Sequence, residues 1–426
     1  MRVIIVGGGW SGLAAAAELS QHHCDIRLFE ASAVLGGRAR SVQWQDVTVD
    51  NGQHLMLGAY RQMLALMQQI GLDANDVFSR QPLDLSVLDP AYPPLFISSR
   101  GRLTPQLNRL IQLWKSAGFS SVTAIWRLQK QLSDINADGA MTVTDFLQKS
   151  RQPQRLIRQL WEPLTLAMLN TPIDEAAANV FADVLKASLF AGQNATELLI
   201  PNKPLGDVLP NPLGSYLTQR GTQICLNNRV QSLLINDNQI TGIIDQAGES
   251  YFADAVILAL PPAALARLLP DNPIFSNTVE YPICTVYLQY TPTLKPAQPM
   301  TGFSGITSQW LFDRSAQKPG LMAVVISGPG PHMQLSKTAL IETVSRELAE
   351  NIPGWPASAD DALVIREKRA TFACTPASQK SRPESRTTIR NLWLAGDFVH
   401  HPFPATLETA IYNGRRCAQQ VLQIDN

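Results

Sequence analysis

The sequence predicts an α/β protein, a Rossmann-like dinucleotide-binding domain interrupted by an interposed α+β substrate domain. Three observations carry this. The chain opens on Val3-Ile4-Ile5-Val6, four β-branched residues in a row, as in a strand buried on both faces. Gly7, Gly9 and Gly12 follow in G-x-G-x-x-G spacing, an Ala-rich helical run continues to about Ser20, and the strand Ile26-Arg27-Leu28-Phe29 ends at Glu30. Near the other end, Asn391-Leu392-Trp393-Leu394-Ala395 is again a buried strand, closing in Gly396-Asp397 before a helix that starts near Ala405. Between these ends the chain changes character at about residue 83, returns at about 204, and leaves again from about 273 to 384.

Each part of the opening unit has a physical reason. Gly7 permits the tight turn, Gly9 lets backbone approach a pyrophosphate, and Gly12 lets the helix pack close to the strand. The helix N-terminus offers free N–H groups and a positive dipole end to phosphates. Glu30, about 18 residues after Gly12, can accept hydrogen bonds from ribose hydroxyls. An acid there favours a free 2′-hydroxyl, so FAD or NAD rather than NADP.

A length of 426 residues suits two domains with real cores, and 45% apolar with 16% charged residues is globular. Lys+Arg and Asp+Glu both number 35, so net charge gives no sign of nucleic acid. The five cysteines are scattered without a C-x-x-C, which argues against a disulfide framework or a zinc site and fits a reducing cytosol. No signal peptide is expected, because the first strand begins at residue 3, and no run of 18 apolar residues exists to span a membrane.

In chain order, residues 60–70 read as a helix whose Met63, Leu66, Met67 and Ile70 form a core stripe. Pro90, Pro93 and Pro94 then break the chain. No acid stands between Asp89 and Asp134, but Arg100, Arg102, Arg109, Lys115, Arg127 and Lys130 do, interleaved with Leu103, Leu107, Leu110, Trp114, Phe119 and Trp126. This pattern fits basic amphipathic helices on a membrane surface, and equally a helical cap with an apolar core face. The run 160–171 is apolar with one acid, Glu162; Asp174 and Glu175 suit the first turn of a helix continuing to about Ala191. A helix over 213–220 stops at Gly221, and Asn236-Asp237-Asn238 turns a hairpin between 229–235 and 240–244. Residues 255–260 form a buried strand ending at two prolines. Strands are expected at 286–290, 300–306, 308–312, 321–327 and 362–369, with a helix over 335–351.

After Glu30 comes Leu35-Gly36-Gly37-Arg38. The pattern E-x(5)-G-G-R resembles that of FAD enzymes of the amine oxidase and phytoene desaturase superfamily, the GR2-type flavoproteins. The resemblance implies FAD. It implies that Gly37 and Arg38 meet the phosphates, that Gly52 and Gln53 run under the isoalloxazine ring, and that Val230 touches the adenine through its backbone. Asp397 would bind the ribityl chain or a phosphate, beside Gly396, and the helix start at Thr406 and Leu407 would face the flavin N1–C2=O. The FAD-binding domain would comprise residues 1–82, 204–272 and 385–426, and the substrate domain 83–203 and 273–384.

Within that superfamily the chain is similar to the squalene-associated FAD-dependent desaturases, the hydroxysqualene dehydroxylases of bacterial hopanoid synthesis. The likeness rests on Asp50-Asn51-Gly52-Gln53-His54 running to Arg61, on Trp161-Glu162-Pro163-Leu164, on Asn170-Thr171 and on the close at Asp397. It implies a long-chain isoprenoid alcohol as substrate, reduced flavin as hydride donor, a flavin reductant it does not name, and a place on the inner face of the cytoplasmic membrane. Loss of an allylic hydroxyl as water needs a proton donor, for which His54 and Glu162 are the candidates. Each has a plainer reading, His54 as a histidine bonded to backbone and Glu162 as a helix cap. The competing functions are a prenyl or carotenoid desaturase running hydride the other way, and a prenyl-binding escort without redox chemistry. An amine oxidase fits least, since no paired aromatic residues over the flavin are identifiable.

Overall fold

The computed structural model describes residues 1–100, 103–135 and 139–423; Arg102, one of the six bases noted above, lies outside them. Its centre is a five-stranded all-parallel sheet. Arg2–Val6 sits in the middle, with Asp25–Phe29 and then Gln223–Cys225 on one side, and Ala255–Leu258 and then Leu392–Leu394 on the other. Strands from the beginning, middle and end of the chain thus share one sheet. Covered on both faces, they are built from continuous apolar runs. The helices Trp10–Leu19 and Leu407–Leu422 pack on each other against one face. They come so close that a Cβ on Gly414 would lie 2.1 Å from the Ser11 carbonyl oxygen.

A second sheet has seven strands in the order Asp361–Phe372, Glu280–Gln289, Leu321–Ser327, Trp310–Asp313, Met300–Phe303, Asp84–Asp89, Tyr92–Ser98. One face packs Val286, Met322, Val324 and Ile326 against the helix Lys337–Asn351, capped by Ser336. The opposite face turns toward the parallel sheet. A three-stranded antiparallel sheet, Val230–Asn236, Gln239–Asp245 and Ser250–Phe252, hangs beside the first; Asp237 and Asn238 take positive φ in its hairpin turn. The strand Leu198–Pro201 pairs with both Met56–Leu57 and Phe78–Gln81, so residues on either side of position 83 share one small sheet.

Several expectations change. Pro93 and Pro94 do not break the chain. They lie in a strand at the edge of the seven-stranded sheet, where a missing N–H leaves no ladder bond unmade. The strand expected at 286 begins at Glu280, and Pro282 is carried by a register shift between Tyr281 and Ile283. Asp174 and Glu175 lie in the turn before the helix Ala178–Ala187, and the Glu175 carboxylate accepts the Tyr281 hydroxyl hydrogen bond instead of facing a helix dipole. That helix ends four residues before the expected Ala191. Residues 157–161 form a wide π turn entering the helix Glu162–Leu169. Pro163 cannot donate to the ladder, which relieves the clash by widening immediately before it.

Candidate functional site

One cavity of about 900 Å³ runs from the glycine turn to the seven-stranded sheet. At its first end the walls are mainly backbone. Gly7 has φ +110°, and a Cβ there would lie 2.3 Å from the Ala259 carbonyl oxygen, so the turn admits glycine alone. Gly9 caps the helix Trp10–Leu19 with no side-chain bond, and a Cβ on it would meet nothing nearer than the Gly37 Cα at 3.9 Å. The helix N-terminus therefore opens onto free space. Gly12 does not line the cavity; its Cβ would fall 2.0 Å from the Gly7 carbonyl oxygen, so its task is close packing beneath the turn.

Glu30 is half-buried at the end of its strand. Its two oxygens accept from the backbone N–H of Gly8 at 2.7 Å and of Ser32 at 2.8 Å, which fixes the carboxylate at the cavity edge with lone pairs to spare. Gly37, Arg38, Gly52, Gln53, Val230, Gly396, Asp397, Thr406 and Leu407 all line the same cavity. Arg38 is already engaged. Its Nη2 donates to both Asp397 oxygens at 2.8 and 2.7 Å, and its Nη1 to the Ala370 carbonyl at 2.7 Å. Burial pulls the guanidinium pKa down, the Asp397 carboxylate more than offsets this, and the net shift is upward. Two residues 359 positions apart thus close the cradle on each other. The helix expected to start at Ala405 starts at Leu407, because Thr406 caps it by accepting from the Thr409 N–H. Its Glu408 accepts from the Gln62 and Met63 N–H groups and so caps the helix Arg61–Gln69 as well. Burial raises the Glu408 carboxyl, with those backbone bonds opposing.

Arg382 escaped the sequence reading. Its buried guanidinium donates to the carbonyls of Asp397, Phe398, Val399, His401 and Phe403 and to the Gln379 side chain, wrapping the loop that carries Asp397. Burial lowers its pKa to about 10. It stands in the polar run 376–387, and no spacing or motif singles it out.

The other end of the cavity is walled by side chains. Met300, Trp310, Phe312, Val325, Ile283 and Leu85 form an apolar floor on the free face of the seven-stranded sheet, and Leu164, Met168 and Leu189 line it from the helical side. Asn170, in left-handed conformation, ties these walls together. Its Oδ1 accepts from the Gly328 N–H at 2.6 Å, and its Nδ2 donates to Thr371 Oγ1 at 2.9 Å.

The two candidate proton donors are separated. His54 lines the cavity, half-buried, with Nδ1 2.7 Å from the Gly52 carbonyl oxygen. A carbonyl only accepts, so Nδ1 carries the hydrogen and Nε2 keeps a lone pair. Burial lowers the imidazole pKa, with the Gly52 bond opposing, so the ring is neutral and presents an acceptor rather than an acid. Glu162 is exposed on the first turn of its helix and does not line the cavity; Leu164, Ala167 and Met168 of the same helix do. Crowding raises its carboxyl and Arg158 opposes this, but the helix turns it away from the site. Glu162 is a candidate in the sequence because it belongs to the distinctive Trp161-Glu162-Pro163-Leu164 run and could titrate if partly buried; helix periodicity puts it on another face from Leu164.

With this geometry in view, the chain belongs to the flavin containing amine oxidoreductase family, whose model matches residues 10–422. It is 31% identical to the hydroxysqualene dehydroxylase of Rhodopseudomonas palustris, over 99% of this chain and 98% of that one. It is 24% identical to the 15-cis-phytoene desaturase of Solanum lycopersicum, over 99% of this chain and 78% of that one. Among solved structures, the cyclohexylamine oxidase of Brevibacterium oxydans shares the fold, with a TM-score of 0.77 and 14% identity over 100% of this chain and 99% of that one. The protein is an FAD-dependent oxidoreductase. The glycine cradle, the Glu30 carboxylate at the cavity edge and the open helix N-terminus fit that cofactor, which supplies hydride transfer when bound.

Proposed function

We propose that the protein reductively removes the hydroxyl of hydroxysqualene to give squalene, in the service of hopanoid synthesis. One observation carries this reading. The glycine cradle and an apolar floor of sheet and helix side chains share one cavity of about 900 Å³. Gly7, Gly9, Gly12 and Glu30 would hold the adenosine and pyrophosphate with Gly37, Arg38 and the Val230 backbone; Gly52, Gln53, Gly396, Asp397, Thr406 and Leu407 would hold the flavin half. The spans 1–82, 204–272 and 385–426 would serve the cofactor, and 83–203 and 273–384 the substrate. His54 would accept the substrate's O–H at Nε2 and so orient the C–O bond, while the apolar walls keep water off the flavin face. The test is anaerobic incubation of the reduced protein with hydroxysqualene and related C30 alcohols, with products identified by mass. No squalene from hydroxysqualene would sink the reading.

A desaturase passing hydride from substrate to FAD is the second reading, favoured by the likeness to the phytoene desaturase over 99% of this chain and 78% of that one. Mixing the oxidised protein with a saturated polyene precursor and watching for flavin bleaching discriminates the two. An escort protein would purify without a flavin spectrum.

No described helix is long and apolar enough to cross a membrane. The helices Pro105–Ala117 and Phe119–Gln131 instead leave a stripe in water. Leu103, Leu107, Leu110 and Trp114 recur at helical spacing and are all exposed, as are Phe119 and Trp126, with Lys115, Arg127 and Lys130 around them. An apolar stripe with a basic rim and no acid suits the anionic inner face of the cytoplasmic membrane as the source of substrate. Sedimentation with anionic vesicles, lost in Trp114→Ala/Trp126→Ala and absent with neutral vesicles, would support it; no sedimentation at all would exclude it.

A further inference from the structure

We propose that Glu367 is the acid that protonates the departing hydroxyl, an inference that rests on the dehydroxylase reading. Among the described residues four carboxylates line the cavity: Glu30, Glu367, Asp397 and Glu408. Three are spent. Glu30 holds the N–H groups of Gly8 and Ser32, Asp397 has both oxygens on Arg38, and Glu408 has both on the Gln62 and Met63 backbone. Glu367 is different. Its Oε2 accepts from Asn51 Nδ2 at 3.0 Å, while its Oε1 receives only a long 3.4 Å contact from the Arg369 N–H. It keeps an oxygen that can carry a proton into the cavity.

Its placement suits the task. Glu367 stands opposite Ile283 across the strand pair, and Ile283 stands opposite Ser327 on the next strand; all three line the cavity. The row therefore runs across the floor where the apolar substrate would lie. The partner Asn51 also donates to the Arg38 carbonyl and directly precedes Gly52, so the carboxyl is tied to the same loop that carries His54. A half-buried Glu280 and Arg38 are its charged neighbours; Glu280 does not line the cavity, and Arg38 lines it with its guanidinium bound to Asp397. With His54 holding a lone pair outward and Glu162 turned away, Glu367 is the side chain placed to give a proton.

The Glu367 proton passes to the hydroxyl oxygen, the allylic C–O bond breaks with its electron pair leaving on oxygen, and water departs. The resulting allyl cation needs a hydride, two electrons and a proton together, which reduced FAD would supply when bound, so that the substrate would end reduced and the flavin oxidised. Solvent reprotonates the carboxylate.

The experiment compares wild-type and Glu367→Gln holoenzyme on two substrates, hydroxysqualene and its fluoroacetate ester, whose leaving group departs without a proton. Glu367→Gln should lose on the order of 100- to 10,000-fold in single-turnover flavin reoxidation by the alcohol. It should stay near wild type with the ester, and Glu367→Asp should recover part of the alcohol rate. FAD content and the Kd of the alcohol, read from perturbation of the oxidised flavin spectrum, should be unchanged. Equal losses on both substrates, or no loss on the alcohol, would overturn the assignment of Glu367. Wild-type protein inert toward the alcohol would instead overturn the dehydroxylase reading, and the assignment with it.

Discussion

At its glycine-turn end the cavity is walled mainly by backbone, and at its sheet end by side chains. At Gly7 and Gly37 an added carbon would press on backbone, and at Gly9 it would stand in the open cradle. Over Met300, Phe312 and Val325 the wall is an ordinary packed sheet face whose chemistry is only its lack of polarity. The first wall is defined by what a residue must not have, the second by a volume that many side chains can fill. Mutation should therefore be unforgiving at one end and lenient at the other.

The largest effect is expected at the cradle. Gly12→Val puts carbon 2.0 Å from the Gly7 carbonyl oxygen, where backbone cannot yield cheaply. It should destabilise by about 3 kcal/mol or more in urea denaturation and abolish FAD retention. A variant that kept its flavin would show the backbone wall to be as pliant as the other. Next is Arg382→Met, which removes the guanidinium from five carbonyls around Asp397, although the Val399 carbonyl keeps Asn413 Nδ2 as a donor. A loss of about 3 kcal/mol is expected, read as a lowered Tm with premature flavin release.

Asp50 sits on the seam between the two ends. Its Oδ1 accepts from the Leu205 N–H, its carbonyl accepts the Tyr287 hydroxyl from the sheet, and its buried Oδ2 has no partner. Burial raises its carboxyl to about 6, with the Leu205 bond and Arg314 opposing. A raised folded-state pKa means the folded protein holds the proton more tightly than the unfolded chain. This contribution is fully present below about 3.8 and is lost as pH rises through about 6. Stability should fall across that window by roughly 2 kcal/mol from this group, and Asp50→Asn should flatten the fall. Denaturation midpoints at pH 4, 5, 6 and 7 check it; an unchanged slope in the variant would place the titration elsewhere. The smallest effect is Leu85→Met in the substrate floor, under about 1.5 kcal/mol and with full FAD content. A larger loss would mean the side-chain wall is as exacting as the backbone one.

The same contrast governs what the sequence discloses. Gly7, Gly9, Gly12, Glu30 and Gly396-Asp397 are legible because a backbone requirement restricts residue type and spacing together. Glu367 is not, since one acid in a strand looks like any solvated position until Asn51 is seen against it. Arg382 hides in a polar run because its partners are carbonyls, which every residue has. Glu162 misled because neighbours in sequence lie on different faces of a helix. The fold's broad outline was readable from buried runs, whereas Pro93, Pro94 and Pro282 sit in strands because edge and bulge positions are set by the sheet and not by the local chain.

The contact between Arg38 and Asp397, with Gly414 pressed on Ser11, has a consequence for how the protein is made. The glycine turn precedes Asp397 in the order of synthesis, and its cradle lacks a wall until that residue has emerged. A chain that stops between the two carries the glycine turn without the partner that closes it. FAD retention is therefore expected to need the strand Leu392–Leu394 and the helix Leu407–Leu422, and a variant lacking both should be colourless however well residues 1–82 fold.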